Sequence, residues 1–367
     1  MSEIDIYVGL DVEGPLVNPR ADFAWLVYDN LLSEEIKAIF PREVCEFYDS
    51  KYDDGRYLWE LLSKKRKKYS TGKWPLVSLC LAVCDGINDE KLIEYARKTT
   101  QENPGTSELL KYLMEKTNGN VYLITSSYPA VPLLISYKYD ISNSKVVSMG
   151  LQGSSLWRDS ISFEEEVHLR SPASKIGCPL DDLERFLIRY LYICECLGRA
   201  YENENKTQIH YLLKVHDSLF NRLHSPQKEV LEYMFLEEKG CMGSHRKVEA
   251  MKSRTKKNTK WIYIGDGIVD AMALKFADYG ISINMTNTHA LFFSKLNVAT
   301  TNVSTLIPIL DSIFSNKFEP KKLKKELKSS ELEIFTRREI HKYPLAVTVA
   351  NKRMKNTLKE LYKPVKP

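Results

Sequence analysis

The sequence predicts an α/β protein: a doubly wound parallel sheet with an inserted helical cap and a second, mainly helical insertion. Three observations lead there. Short apolar runs at residues 4–10, 121–124 and 261–264 each stop at polar residues, as strands buried on both faces do. Helical patterns accompany each run. Two long stretches, 18–99 and 151–240, separate the runs and carry helical periodicity.

The elements follow in order. The first run ends at Asp11. Residues 107–116 form an amphipathic helix, with Leu109, Leu110 and Leu113 at helical spacing after Pro104-Gly105-Thr106. The second run ends at Thr125 and the third at Gly265-Asp266. A helix opens over 270–277, and 280–283 and 298–299 read as two further short strands. In the second insertion, 181–197 and 208–223 are amphipathic helices. Residues 321–328 read as a helix, and 345–350 as a strand or packed segment. The division is therefore a core of 1–17, 100–150 and 241–316, a helical cap of 18–99, an insertion of 151–240 and a basic C-terminal extension of 317–367. In open α/β sheets ligands bind outside the carboxyl ends of the strands. Asp11, Glu13, Thr125, Ser126, Asp266 and Asp270 would meet in one crevice if the three strands are neighbours.

Composition limits the function classes. A chain of 367 residues, 43% hydrophobic and 28% charged, has enough apolar content for two to three packed units. No apolar run approaches the roughly 18 residues that span a bilayer. The acidic start, without a basic and apolar leader, predicts no secretory signal and a cytoplasmic location. Seven cysteines, odd in number and without paired Cys-x-x-Cys spacing, read as reduced thiols. Cys194-Glu195-Cys196 offers too few ligands for a metal site. The net charge of +5 hides an asymmetry: residues 317–367 hold 15 Lys/Arg against 6 Asp/Glu, a net of +9, which leaves the rest at −4. Such a tail would bind nucleic-acid phosphates in a salt-dependent way. It lacks a regular aromatic-basic pattern, so a solvated or core-docked tail is expected instead.

The chemistry sits in four places. In Asp11-Val12-Glu13-Gly14-Pro15, two carboxylates follow a strand at once. One can attack phosphorus and the other can protonate the leaving oxygen and then activate water. Gly265-Asp266-Gly267-Ile268-Val269-Asp270 puts two carboxylates one helical turn apart, suited to a hard cation such as Mg²⁺. Thr125 brings a hydroxyl and a backbone N–H, with the Ser126 N–H nearby, to hold a phosphoryl oxygen. A lysine is needed against the gathered negative charge. Lys247, opening an amphipathic stretch, is the candidate over Lys239 and Lys252. Taken singly, each feature is as readily a polar turn, a helix cap or a solvated lysine.

Their order is more specific. Asp-x-Glu-Gly, a strand ending in Thr, a Lys and Gly-Asp-x-x-x-Asp resembles the haloacid dehalogenase superfamily, and within it the phosphoserine phosphatase-like branch. Residues 8–18, 103–127 and 247–283 carry the resemblance, which covers a core of about 150 residues. It implies a Rossmannoid core, Asp11 as nucleophile, Glu13 as acid/base, and Thr125, Ser126 and Lys247 on phosphate. It implies Mg²⁺ on Asp11, the Glu13 carbonyl and Asp266, supported by Asp270. It also implies a helical cap between the first two motifs.

Departures matter. Glu13 stands where the family usually has Asp, moving the carboxyl by about 1.5 Å. The Asp-x-Glu-Gly-Pro form is similar to a little-characterised archaeal branch, some of whose members are labelled energy-converting hydrogenase subunits. A similar Asp-x-Glu-Gly occurs in a relative that also transfers phosphate to homoserine. Arg20 stands where phosphoserine phosphatases place a Glu for the substrate amine. It favours a carboxylate or second phosphate instead. Arg66 is a weaker candidate anion contact. Val269 replaces a common Asn.

The expectation is a phosphatase of small phosphorylated metabolites. Its alternatives are a phosphotransferase to a small alcohol and a non-catalytic regulatory or assembly subunit. The 151–240 insertion is the candidate surface for a protein partner or a homo-oligomer.

Overall fold

Seven strands form one sheet in the order β3-β2-β1-β4-β5-β6-β7. They are Asp5–Leu10 (β1), Val121–Ile124 (β2), Val146–Val147 (β3), Thr259–Gly265 (β4), Tyr279–Ile283 (β5), Leu296–Thr300 (β6) and Leu332–Thr336 (β7). All neighbours are parallel except β6 and β7. The computed structural model describes residues 5–18, 21–53, 56, 71–150, 162–177, 180–236, 240–327, 329 and 331–362. Arg20, Arg66 and Lys239 lie outside these described residues.

Side-chain alternation divides the core between the two faces of the sheet. Val8, Leu10, Leu123, Ile262 and Ile264 point into one cluster. Tyr7, Tyr122, Ile124, Trp261 and Tyr263 point into the other. There Tyr7, Tyr122 and Trp261 pack with ring centroids 5.3, 5.4 and 5.5 Å apart. The register then aligns the strand ends. Leu10 pairs with Leu123 and with Ile264, so Asp11, Thr125 and Asp266 leave the sheet at one edge. The crevice depends on this adjacency, which no local sequence pattern encodes.

Helices fill both insertions. Phe23–Asn30, Trp74–Cys84 and Asp89–Thr99 belong to the first, Phe163–Arg170, Leu180–Glu202 and Lys206–Ser218 to the second. The two insertions share one apolar interior. The Tyr48 and Tyr190 hydroxyls are 3.2 Å apart, Phe186 and Phe235 pack on Tyr190, and Lys73 Nζ donates to the Phe235 carbonyl at 2.9 Å. The expected helices at 181–197 and 208–223 are present, the first extended to Glu202 and the second ending in a 3₁₀ turn at Leu219–Arg222. The six described cysteines are free thiols. Among the described residues no helix is long and apolar enough to cross a membrane.

The C-terminal segment departs most from expectation. It supplies the sheet's antiparallel edge strand, β7, which the density of charge concealed. Residues 345–350, read as a strand or packed segment, lie in the helix Pro344–Glu360. Val347, Ala350, Met354 and Leu358 are buried, whereas Leu345 and Val349 are exposed. Apolar density alone suggested a strand, but the spacing of the buried residues is helical. Strand β3 also escaped notice, being two residues long.

His216 is buried against Tyr190 and Phe220 in the insertion interior. Burial pushes its imidazole down to about 4, against the Asp217 hydrogen bond. A folded-state value below the unfolded one, about 6.5, means that the unfolded chain binds more protons between the two. Stability contributed here is complete above the unfolded value and is lost as pH falls towards the folded one, by up to about 3 kcal/mol. Urea unfolding across this acid range should show a steeper loss for the wild type than for His216→Gln. Equal slopes would remove His216 from the account.

Candidate active site

Three strand ends and one helix build the site. Asp11 follows β1, and its backbone N–H donates to the Ile264 carbonyl at 2.9 Å, so the chain stays in register for one residue beyond the strand. Its carboxylate accepts the Val12 N–H at 2.9 Å. Lys247 comes from the helix Ser244–Lys252 and is fully buried. Its ammonium lies 3.3 Å from Asp11 Oδ1 and 2.6 Å from Asp270 Oδ1. Burial works against this charge, but Asp11 and Asp270 outweigh it and raise the lysine's pKa. Burial and the Asp270 charge lift the Asp11 carboxyl well above the carboxylate range, against the pull of Lys247.

Asp270 is committed on both oxygens. Oδ1 takes Lys247 and the Tyr263 hydroxyl at 2.7 Å. Oδ2 takes the Asp266 and Gly267 N–H groups, each at 3.0 Å. It thereby shapes the loop that carries Asp266. Carboxylate oxygens of Asp11, Asp266 and Asp270 lie within 4.8 Å of one another. Of the three, Asp11 and Asp266 line the cavity; Asp270 stands behind them as the residue that orients Lys247 and the loop.

Thr125 is placed as expected, with one correction. Its N–H donates to the Val147 carbonyl at 2.9 Å, completing the pairing with β3. The hydroxyl, a hydrogen-bond partner of Asp11, is the group left to meet a ligand. Ser126 lines the same cavity. Of the lysines the sequence offered, Lys247 contacts Asp11, whereas Lys252 lies near the Phe276 ring at 5.7 Å.

Glu13 faces the helical side. It accepts the Phe23 N–H and, at 3.4 Å, the Asn18 amide. Burial, with the neighbouring Asp22 charge, pushes its carboxyl up to about 7, against the Ser127, Phe23 and Asn18 donors. Burial likewise lifts Asp22 to about 6, although Asp22 caps the helix Phe23–Asn30 by accepting the Trp25 N–H. A carboxyl near neutrality both gives and takes a proton readily.

The cavity that these groups surround has a volume of about 310 Å³. Trp74, Pro75, Asp49 and Asp22 close it from the first insertion, and Lys355 and Lys359 from the C-terminal helix. Lys355 Nζ pairs with Asp266 Oδ2 at 3.1 Å. Sequence reasoning missed Asp22, Asp49, Lys355 and Lys359. The signal for the lysines was present: 347, 350, 354 and 358 mark a buried helix face, which makes 355 and 359 neighbours on an adjoining one.

Gly14 closes the loop after Glu13 in a left-handed conformation, φ 95°. A Cβ there would overlap the Asp266 carboxylate. Gly14→Ala should therefore lose about 2 kcal/mol or more in denaturant unfolding; a neutral result would mean that the loop moves freely. Lys247→Met strands two buried carboxylates and should cost about 3–5 kcal/mol. Asp11, whose folded-state pKa is raised by burial and the Asp270 charge, carries little penalty below the unfolded value and more as pH rises through the folded one. The loss should thus be larger at about pH 8 than at about pH 5. A loss independent of pH would show that packing, not charge, is Lys247's contribution.

No protein-family model and no curated protein matches this chain. Among solved structures, gene product AF1437 from Archaeoglobus fulgidus is similar in fold, with a TM-score of 0.62 and 17% identity, over 98% of each chain. At that identity the likeness is one of architecture, and it extends through the insertions and the C-terminal segment as well as the sheet.

Proposed function

We propose that this protein is a Mg²⁺-dependent phosphatase of small phosphate monoesters, working through an aspartyl-phosphate on Asp11. The observation that carries the reading is the meeting of Asp11, Thr125 and Asp266, from three separate stretches of chain, at one cavity, with Lys247 buried against Asp11 from a fourth. The sheet order, with the Asp11 strand between those of Thr125 and Asp266, supports the haloacid dehalogenase resemblance. In this reading the described helices of 18–99, which bring Trp74 and Pro75 to the cavity, serve as its cap.

The donor set fits a hard divalent cation, because Asp11 and Asp266 present carboxylate oxygens at one cavity wall. Mg²⁺ would be held by these two and the Glu13 carbonyl, and would neutralise charge between nucleophile and phosphoryl group. The Asp11 carboxylate oxygen attacks phosphorus, and the bond to the substrate's alcohol oxygen breaks. Glu13 passes its proton to that leaving oxygen. It then takes a proton from water, whose oxygen attacks the same phosphorus and releases phosphate and the Asp11 carboxylate. Lys247 and the Thr125 hydroxyl hold negative charge throughout. An alcohol in place of water in the second half would make the enzyme a phosphotransferase.

The test is phosphate release from p-nitrophenyl phosphate and a panel of phosphorylated metabolites, with Mg²⁺ and with EDTA. Turnover should require Mg²⁺ and fall by at least about 10³-fold in Asp11→Asn. Stimulation by added glycerol, with glycerol phosphate formed, would select the transferase. Undiminished turnover in Asp11→Asn would overturn the mechanism.

A further inference from the structure

The C-terminal helix Pro344–Glu360 is tied to the core at its middle and just past its end. At its middle, the buried Asn351 amide donates to the Met285 carbonyl at 2.7 Å. Just past its end, the Tyr362 hydroxyl lies 2.6 Å from the Glu102 carbonyl and 3.0 Å from Asn103 Oδ1. Asn103 in turn donates to the Gly14 and Pro15 carbonyls at 2.7 and 2.9 Å. The helix is thus tied to the loop that carries Asp11 and Glu13. Between these ties, Lys355 and Lys359 lie on one helix face about 6 Å apart, and both line the cavity. Among the described lining residues they are the cations. A docked helix of this kind holds charge in place, which a solvated tail does not.

Lys355 Nζ pairs with Asp266 Oδ2 at 3.1 Å. Under the function proposed above, on which this inference rests, Asp266 would be a ligand of the divalent cation. The lysine pair then faces the part of the cavity beyond the phosphoryl position. The negative wall of the cavity, Asp22 and Asp49, comes from the other side of the chain's organisation, the first insertion. A volume near 310 Å³ leaves room for a substrate body as well as a phosphoryl group.

We propose that Lys355 and Lys359 form a second anion subsite, and that the substrate is a phosphate monoester bearing a further negative group, a carboxylate or a second phosphate. Burial and the neighbouring Lys355 charge both lower the pKa of Lys359. Each ammonium–anion contact in such a site contributes enough for at least about tenfold in affinity.

Two phosphonates that differ by one carboxylate test this, because neither is hydrolysed. Calorimetric titration of the full chain in Mg²⁺ should show 3-phosphonopropionate binding at least about tenfold more tightly than propylphosphonate. The ratio should collapse towards one in Lys355→Met/Lys359→Met and persist in Lys355→Arg/Lys359→Arg. Equal binding of the two by the wild type, or a preference retained in the methionine variant, overturns the second subsite alone. Failure of both to bind the wild type overturns the phosphoryl site, and this inference with it.

Discussion

The buried ammonium of Lys247, shared between Asp11 and Asp270, is the interaction on which the rest of the site depends. Three carboxylates crowd one end of the sheet, and without a cation among them their mutual repulsion and lost hydration would oppose folding. Lys247 offsets that cost with short contacts in a dry environment. It then sets the geometry. Asp270, held by Lys247 and Tyr263, uses its second oxygen to fold the Asp266–Gly267 loop. That loop places Asp266 against Gly14, where only a glycine leaves room. A single buried charge thus organises the ends of β1 and β4 together.

Around this centre the molecule uses three separate parts as walls. The sheet provides the floor. The first insertion brings Trp74, Asp49 and Asp22, stiffened from behind by the second insertion through Tyr48, Tyr190 and the Lys73 contact with Phe235. The C-terminal helix brings positive charge from the far edge of the sheet, where β7 anchors it. The second insertion contributes no described residue to the cavity lining. Its described contribution is to support the wall that does line it, which accounts for two insertions sharing one apolar interior.

Much of the sheet was legible in the residues. β1, β2 and β4 announced themselves because a strand buried on both faces is a continuous apolar run, and each stopped at the residue that enters the site. Asp11, Thr125, Lys247 and Asp266 were identifiable because they follow such runs or open a helix between them. Asp270 was found, but its task was not: which atoms it satisfies depends on Tyr263, a core residue with no polar signature of its own. β3 and β7 were missed for different reasons. The first is too short for alternation to show, and the second lies within a stretch whose lysines and glutamates resemble a solvated segment.

By itself, then, the sequence determined the local elements and the chemical types at their ends, because periodicity and strand termination are properties of neighbouring residues. Tertiary structure alone decided which strands lie side by side, how Asp270 divides its two oxygens, and that Lys355 and Lys359, almost 350 residues from Asp11, close the same cavity. Those outcomes rest on contacts between segments remote in the chain. Their free energy comes from burying apolar faces and pairing charges across space, and no local pattern records it.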